Sequence, residues 1–137
     1  MAERKALTFA LMDPPYENER TTTALRLIEA AIRKGYDVNV FAYEGAVAVP
    51  FTKQARHPNP VHGRDLEQED HPLPHRWVAA LMEEARRRGV KLDWVNCGLC
   101  VDERGVFEAI EGVRRGGPAE FWKFAESSAN TLVIPTK

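Results

Sequence analysis

Apolar and polar positions along the chain alternate between two periods. Ala6-Leu7-Thr8-Phe9-Ala10-Leu11-Met12 is a short, almost unbroken apolar run that reads as a buried strand, and Asp13-Pro14-Pro15 ends it, because consecutive prolines cannot continue a ladder. From about Thr21 to Lys34 the apolar residues Ala24, Leu27, Ile28, Ala31 and Ile32 recur at helical spacing. Thr21 or Thr22 is a candidate cap, and Gly35 stands where a helix stops. Val38-Asn39-Val40-Phe41-Ala42 is the next strand. Strand, helix, strand in that order is a βαβ unit, which predicts a parallel sheet.

The pattern then breaks. Residues 44–75 carry Pro50, Pro58, Pro60, Pro72 and Pro74 together with all four histidines, and read as a long Pro/His-rich loop in which Ala46-Val47-Ala48-Val49 can still pack. Periodicity resumes at Arg76–Arg88, with Trp77, Val78, Leu81, Met82 and Ala85 on one face and Gly89 as its stop; Arg86-Arg87-Arg88 suits the negative end of the helix dipole. Val90–Val95 is a third strand. Gly116-Gly117-Pro118 opens a helix containing Phe121, Trp122, Phe124 and Ala125, and Thr131-Leu132-Val133-Ile134 is a fourth strand. Trp94 and Trp122 read as core, and Arg114-Arg115 beside Gly116-Gly117 as a solvated turn, with anion binding as the alternative. The 137 residues are expected to form one domain, 1–137, with the 44–75 loop inserted within it.

Composition narrows the partners. The chain is 44% hydrophobic and 28% charged with a formal net charge of −1, which carries no electrostatic signature of nucleic acid or of a membrane surface. No apolar run approaches the roughly 18 residues that span a bilayer, and the N-terminus shows no secretory pattern. A cytoplasmic location, where thiols stay reduced, is the expectation.

The chemistry-bearing feature is Cys97-Gly98-Leu99-Cys100, which holds both cysteines of the protein just after the third strand. In a parallel sheet, reactive groups gather at that edge. A thiol acts as a nucleophile only as thiolate, and turn N–H groups or a nearby cation favour that form. Arg104, followed by Gly105, supplies the cation if the segment coils. Redox chemistry, metal binding and sulfur transfer all use such a pair. Thioredoxin-like oxidoreduction fits the order of elements poorly, since only 37 residues follow Cys100. A metal site needs histidines, yet His57, His62, His71 and His75 are spaced 5, 9 and 4 apart, and Pro72 and Pro74 oppose a helix that would pair the last two. Solvated loop histidines and no metal are expected. There is no glycine-rich phosphate fingerprint, so no nucleotide or other cofactor is expected. Asp13 shares the sheet edge with Cys97 and either lines the site or caps its own loop, as do Tyr16 and Glu17 beside it.

Three segments resemble the DsrE/DsrF-like family: the opening strand–Asp13-Pro14–loop–helix with Val38-x-Val40-Phe41, the loop Cys97-x7-Gly105 carrying Arg104, and the closing helix and strand at Leu132-Val133-Ile134. The resemblance leaves out about residues 46–74. It implies a flavodoxin-like three-layer sandwich with a mainly parallel sheet and assembly into trimers or hexamers. It places Cys97 at the position that carries a transferable persulfide, with Cys100 matching the second cysteine of a C-G-x-C-x3-R-G subgroup. Gly98 and Gly105 then belong to the binding loop, and the partner is a protein that donates or accepts sulfur. The reading is a sulfur carrier. Its alternatives are a non-catalytic small-molecule or protein-binding module on the same fold, and a dithiol redox sensor using Cys97 and Cys100.

Overall fold

The computed structural model describes residues 4–59, 63–68 and 73–136. The expected His62 and His71 lie outside them. Five parallel strands form one sheet: β1 (Ala6–Leu11), β2 (Asp37–Ala42), β3 (Leu92–Cys97), β4 (Val113–Gly116) and β5 (Asn130–Ile134), in the order β4-β3-β2-β1-β5. Helices α1 (Arg20–Arg33), α2 (Pro74–Arg88), α3 (Gly98–Arg104) and α4 (Pro118–Ser127) cover it, and a short 3-10 turn, Glu44–Ala48, follows β2. This is the mainly parallel α/β sandwich that the sequence implied.

The period-2 alternation of the strands sorts their side chains to two faces. Phe9, Leu11, Val38, Val40 and Trp94 meet Leu25, Ile28 and Ile32 of α1 and Val78, Leu81 and Ala85 of α2 on one face. Phe41, Val95 and Cys97 meet Val101 of α3 and Phe124 of α4 on the other. Thr8, fully buried on this second face, donates to the Phe124 carbonyl at 3.2 Å and hydrogen-bonds the Ser128 hydroxyl, which ties the end of α4 to the central strand.

Several boundaries differ from the sequence expectation, each for a local reason. Helix α1 starts one residue early, with Glu19 at its N-cap. Thr21 does not cap it; its hydroxyl bonds the Asp13 and Pro14 carbonyls, and Asn18 accepts from the Arg20 N–H at 2.8 Å instead. Helix α2 begins at Pro74 because proline is well suited to the first turn, where its missing N–H is not needed. Strand β3 begins later than Val90 and runs on to Cys97, so the first cysteine is the last strand residue. Arg114 and Arg115 lie in an unexpected fifth strand, β4, and not in a turn. Arg114 makes a two-pronged contact to Asp93 at 2.9 Å and a bond to Glu120 at 3.3 Å, which hold its charge firmly. Trp122 is exposed on α4 rather than in the core; its indole N–H donates to Glu126. The Arg86–Arg88 run is paired to Glu83 and Glu84 on the surface of α2.

A buried polar chain joins the core to the turn after β2. The Trp94 indole donates to Asn96 Oδ1 at 3.1 Å, and Asn96 Nδ2 donates to the Val47 carbonyl at 3.1 Å. Both side chains are essentially sealed from water. Asn96→Ala strands a buried donor and a buried acceptor at once. A loss of about 2–4 kcal/mol in urea unfolding is expected, while Asn39→Ala, on a partly buried site, costs less than half of that.

Candidate functional site

The site is built where β2 and β3 end. Cys97 closes β3 with extended backbone (φ −60°, ψ 117°) and is at once the N-cap of α3. Its side chain makes no capping hydrogen bond to the first turn. The backbone donors foreseen for its sulfur are therefore not engaged; the side chain lies against Cys100 instead, and both thiols are free and buried. Gly98 begins α3 beneath Arg115: a Cβ there would stand 3.1 Å from the guanidinium, which bonds the Gly98 carbonyl and Asp102 at 2.9 Å each. Gly105 ends α3 with φ +66°, a conformation that suits glycine.

Cys100 sits one turn in. Its sulfur accepts the Glu44 N–H at 3.1 Å and shares a buried cluster with Cys97. Burial pushes the Cys100 thiol up, and the neighbouring Cys97 thiol and the Glu44 charge add to that, against the Glu44 N–H. Arg104, on the same helix, reaches the Glu44 carboxylate at 3.1 Å, Glu103 at 3.5 Å and the Cys100 carbonyl at 3.5 Å. Its charge is thus shared with carboxylates beside the dithiol.

Asp13 is buried at the end of β1. It accepts from Asn18 Nδ2 at 2.8 Å and lies 3.6 Å from Arg20. It organises its own loop and also lines an open cleft of about 810 Å³ with Glu17, Arg20, Glu44, Gly45 and Arg104. The structure therefore brings Asp13 and Arg104 to one cleft, whose lining does not include Cys97, Gly98 or Cys100. The described histidines lie apart from the thiols: His57 packs edge-on against Tyr16, and His75 Nδ1 lies 2.8 Å from Gln54.

Two residues at the site were not foreseen, Glu44 and Arg115. Arg115 was noted beside Gly116-Gly117, but its role needed the strand register that sets Gly116 against Cys97. Glu44 carries a left-handed backbone (φ +51°) that a non-glycine residue does not advertise. The one signal was Gly45, where a Cβ would stand 2.7 Å from Pro14.

A parallel α/β sandwich with a C-x-x-C pair at the carboxyl edge of an inner strand defines a flavodoxin-like domain with a thiol site. The chain belongs to the DsrE/DsrF-like family, whose model matches residues 5–134. Among solved structures it is similar to the ychN protein from E. coli, with a TM-score of 0.67 and 21% identity over 96% of this chain and 99% of that one. It is also similar to a conserved protein of unknown function, BT1422, from Bacteroides thetaiotaomicron, with a TM-score of 0.58 and 13% identity over 95% of each chain. At these identities the likeness is one of fold. No curated relative matches the chain. Among the described residues no helix is long and apolar enough to cross a membrane.

Because folding raises the Cys100 thiol above its unfolded value, the neutral thiol contributes stability below about pH 8.5, and the contribution fades as pH climbs through the folded value. Thermal melts from pH 7 to pH 10 are expected to show wild type losing more Tm than Cys100→Ser. Equal losses would mean that the buried thiol is not the titrating group.

Proposed function

We propose that the protein is a sulfur carrier that holds sulfane sulfur on Cys97 and passes it to a partner protein's thiol. The observation that carries this reading is the placement of Cys97 at the carboxyl end of β3, in contact with a second, buried thiol. Membership of the DsrE/DsrF-like family supports it. The loading step is a sulfur exchange. The Cys97 thiolate attacks the outer sulfur of a donor persulfide, R–S–SH; a new S–S bond forms to Cys97 as the donor's own S–S bond breaks, and the outer sulfur's proton passes to the departing thiolate, leaving Cys97–S–S⁻ and R–SH. Transfer is the reverse step, onto an acceptor thiol. Arg104 lies on the same helix, its charge shared with Glu44 and Glu103. Leu99, between the two cysteines, is 68% exposed, so a protein reaching the thiols meets an apolar side chain first.

Mass spectrometry of the intact protein after incubation with a sulfane-sulfur donor tests the reading. A gain of one sulfur atom is expected in wild type and Cys100→Ser, absent in Cys97→Ser and removed by reductant. A protein that gains no sulfur overturns it.

The contact between the two thiols favours one second reading, a dithiol sensor that closes a Cys97–Cys100 disulfide on oxidation. It predicts a loss of two hydrogens on mild oxidation and no sulfur adduct. If neither mass change appears, the binding-module alternative leads.

Assembly into a homo-oligomer belongs to the same proposal. Trp122 and Val133 are both more than half exposed, and covering them favours association. Light scattering at micromolar concentration is expected to give a trimer or hexamer; a monomer contradicts this part.

A further inference from the structure

A second cleft, of about 310 Å³, lies between the loop after β1, the first two turns of α1, the start of α2 and the bridge that pairs Asn59 with Arg64. Its volume falls at the lower end of the range, roughly 300–1,000 Å³, in which small ligands are held. Helices α1 and α2 pack on the face of the sheet that Phe9 and Trp94 share, whereas Cys97 and Cys100 belong to the other face. The cleft is therefore separate from the dithiol.

Two kinds of group meet in its lining. The first is aromatic. Trp77 stands in the first turn of α2 and Tyr16 in the loop before α1. Tyr16 has φ +78°, a left-handed backbone that a bulky residue rarely adopts. Its ring meets His57 edge-on, with 4.5 Å between centroids, which holds it at the cleft wall. The second is cationic. Arg26 lies one turn beyond Thr22 on the same face of α1. Arg64 is held by its main chain, which exchanges bonds of 2.8 and 2.9 Å with the buried Asn59.

These two arginines differ from most others in the chain. Arg20, Arg33, Arg104, Arg114 and Arg115 each pair with a carboxylate. Among the described residues neither Arg26 nor Arg64 does. The lining holds one carboxylate, Glu19, against two guanidiniums, so it carries a net positive charge. A guanidinium has the planar fork that matches a carboxylate, and an aromatic wall favours a ring.

We propose that this cleft binds a small aromatic carboxylate, with its acid group held by Arg26 and Arg64 and its ring against Tyr16 and Trp77. A purely apolar ligand leaves the two charges unanswered, and a bare anion leaves the rings uncovered. The site is independent of sulfur transfer and stands whether or not Cys97 carries sulfur.

Isothermal titration calorimetry of the full chain with naphthoate tests the proposal. Naphthamide keeps the ring without the charge, and acetate keeps the acid without the ring. Naphthoate is expected to bind with a Kd of about 1 mM or below, and the other two far more weakly. Arg26→Gln and Arg64→Gln are each expected to weaken naphthoate about tenfold, the weight of one charge-assisted hydrogen bond. Tyr16→Asn removes the ring with a residue that suits the left-handed backbone, and is expected to weaken naphthoate as well. Lys34→Gln removes one charge from the far end of α1 and is expected to bind as wild type does. The proposal is overturned if naphthoate does not bind, if naphthamide binds as tightly, if the arginine variants match wild type, or if Lys34→Gln weakens binding as much as they do. Both arginines are exposed, so their replacement spares the core, and they decide the matter if Tyr16→Asn does not fold.

Discussion

The bond from the buried Asn96 amide to the Val47 carbonyl is the constraint on which the site depends. Strands β2 and β3 lie side by side, but nothing in a parallel ladder fixes how the chain leaves each one. Asn96 is the residue before Cys97, and Val47 lies in the turn that begins with Glu44. One buried hydrogen bond of 3.1 Å therefore ties the turn after β2 to the penultimate residue of β3. With that lock in place, the Glu44 N–H stands over Cys100. The lock acts with the Tyr43 N–H bond to the Leu11 carbonyl and the Ala46 N–H bond to the Met12 carbonyl to hold the left-handed turn at Glu44. The Trp94 indole satisfies the other side of the amide, so the network has no spare partner and tolerates no partial loss.

The electrostatics around the thiols are local and nearly balanced. Arg104 is engaged by Glu44 and Glu103, and Arg115 by Asp102. Neither arginine offers its charge freely to a sulfur anion; each first holds a piece of backbone or a carboxylate that shapes α3. The cleft beside them mixes both signs, with Asp13 and Glu17 facing Arg20 and Arg104. The charges beside the thiols are thus paired locally, in a chain whose overall charge is close to zero.

Much of the fold was legible in the sequence. The strands at Phe9, Val40, Val95 and Val133 and the helices ending before Gly35 and Gly89 follow from hydrophobic period and glycine stops, because one long core imposes both. Strand β4 was not legible. It is four residues long, lies at the sheet edge and carries two arginines, so its pairing comes from register and ion pairs and leaves no apolar signature. Trp122 misled for a related reason: residue type points to the core, but the face of α4 it occupies points outward. At the site, the C-x-x-C pair and Arg104-Gly105 were visible as a motif. Glu44 was not, since a long-range bond from a left-handed main chain has no spacing to read.

The account turns on Cys97 as the atom that receives and releases sulfur. The most direct measurement follows isotopically labelled sulfane sulfur from the loaded protein to an added thiol acceptor, with the label located by peptide mass before and after the chase. The account predicts label on the Cys97 peptide at the start and on the acceptor at the end, in equal amount, with Cys100 never labelled. Label that settles on Cys100, or a Cys97–Cys100 disulfide formed with no label retained, would contradict it.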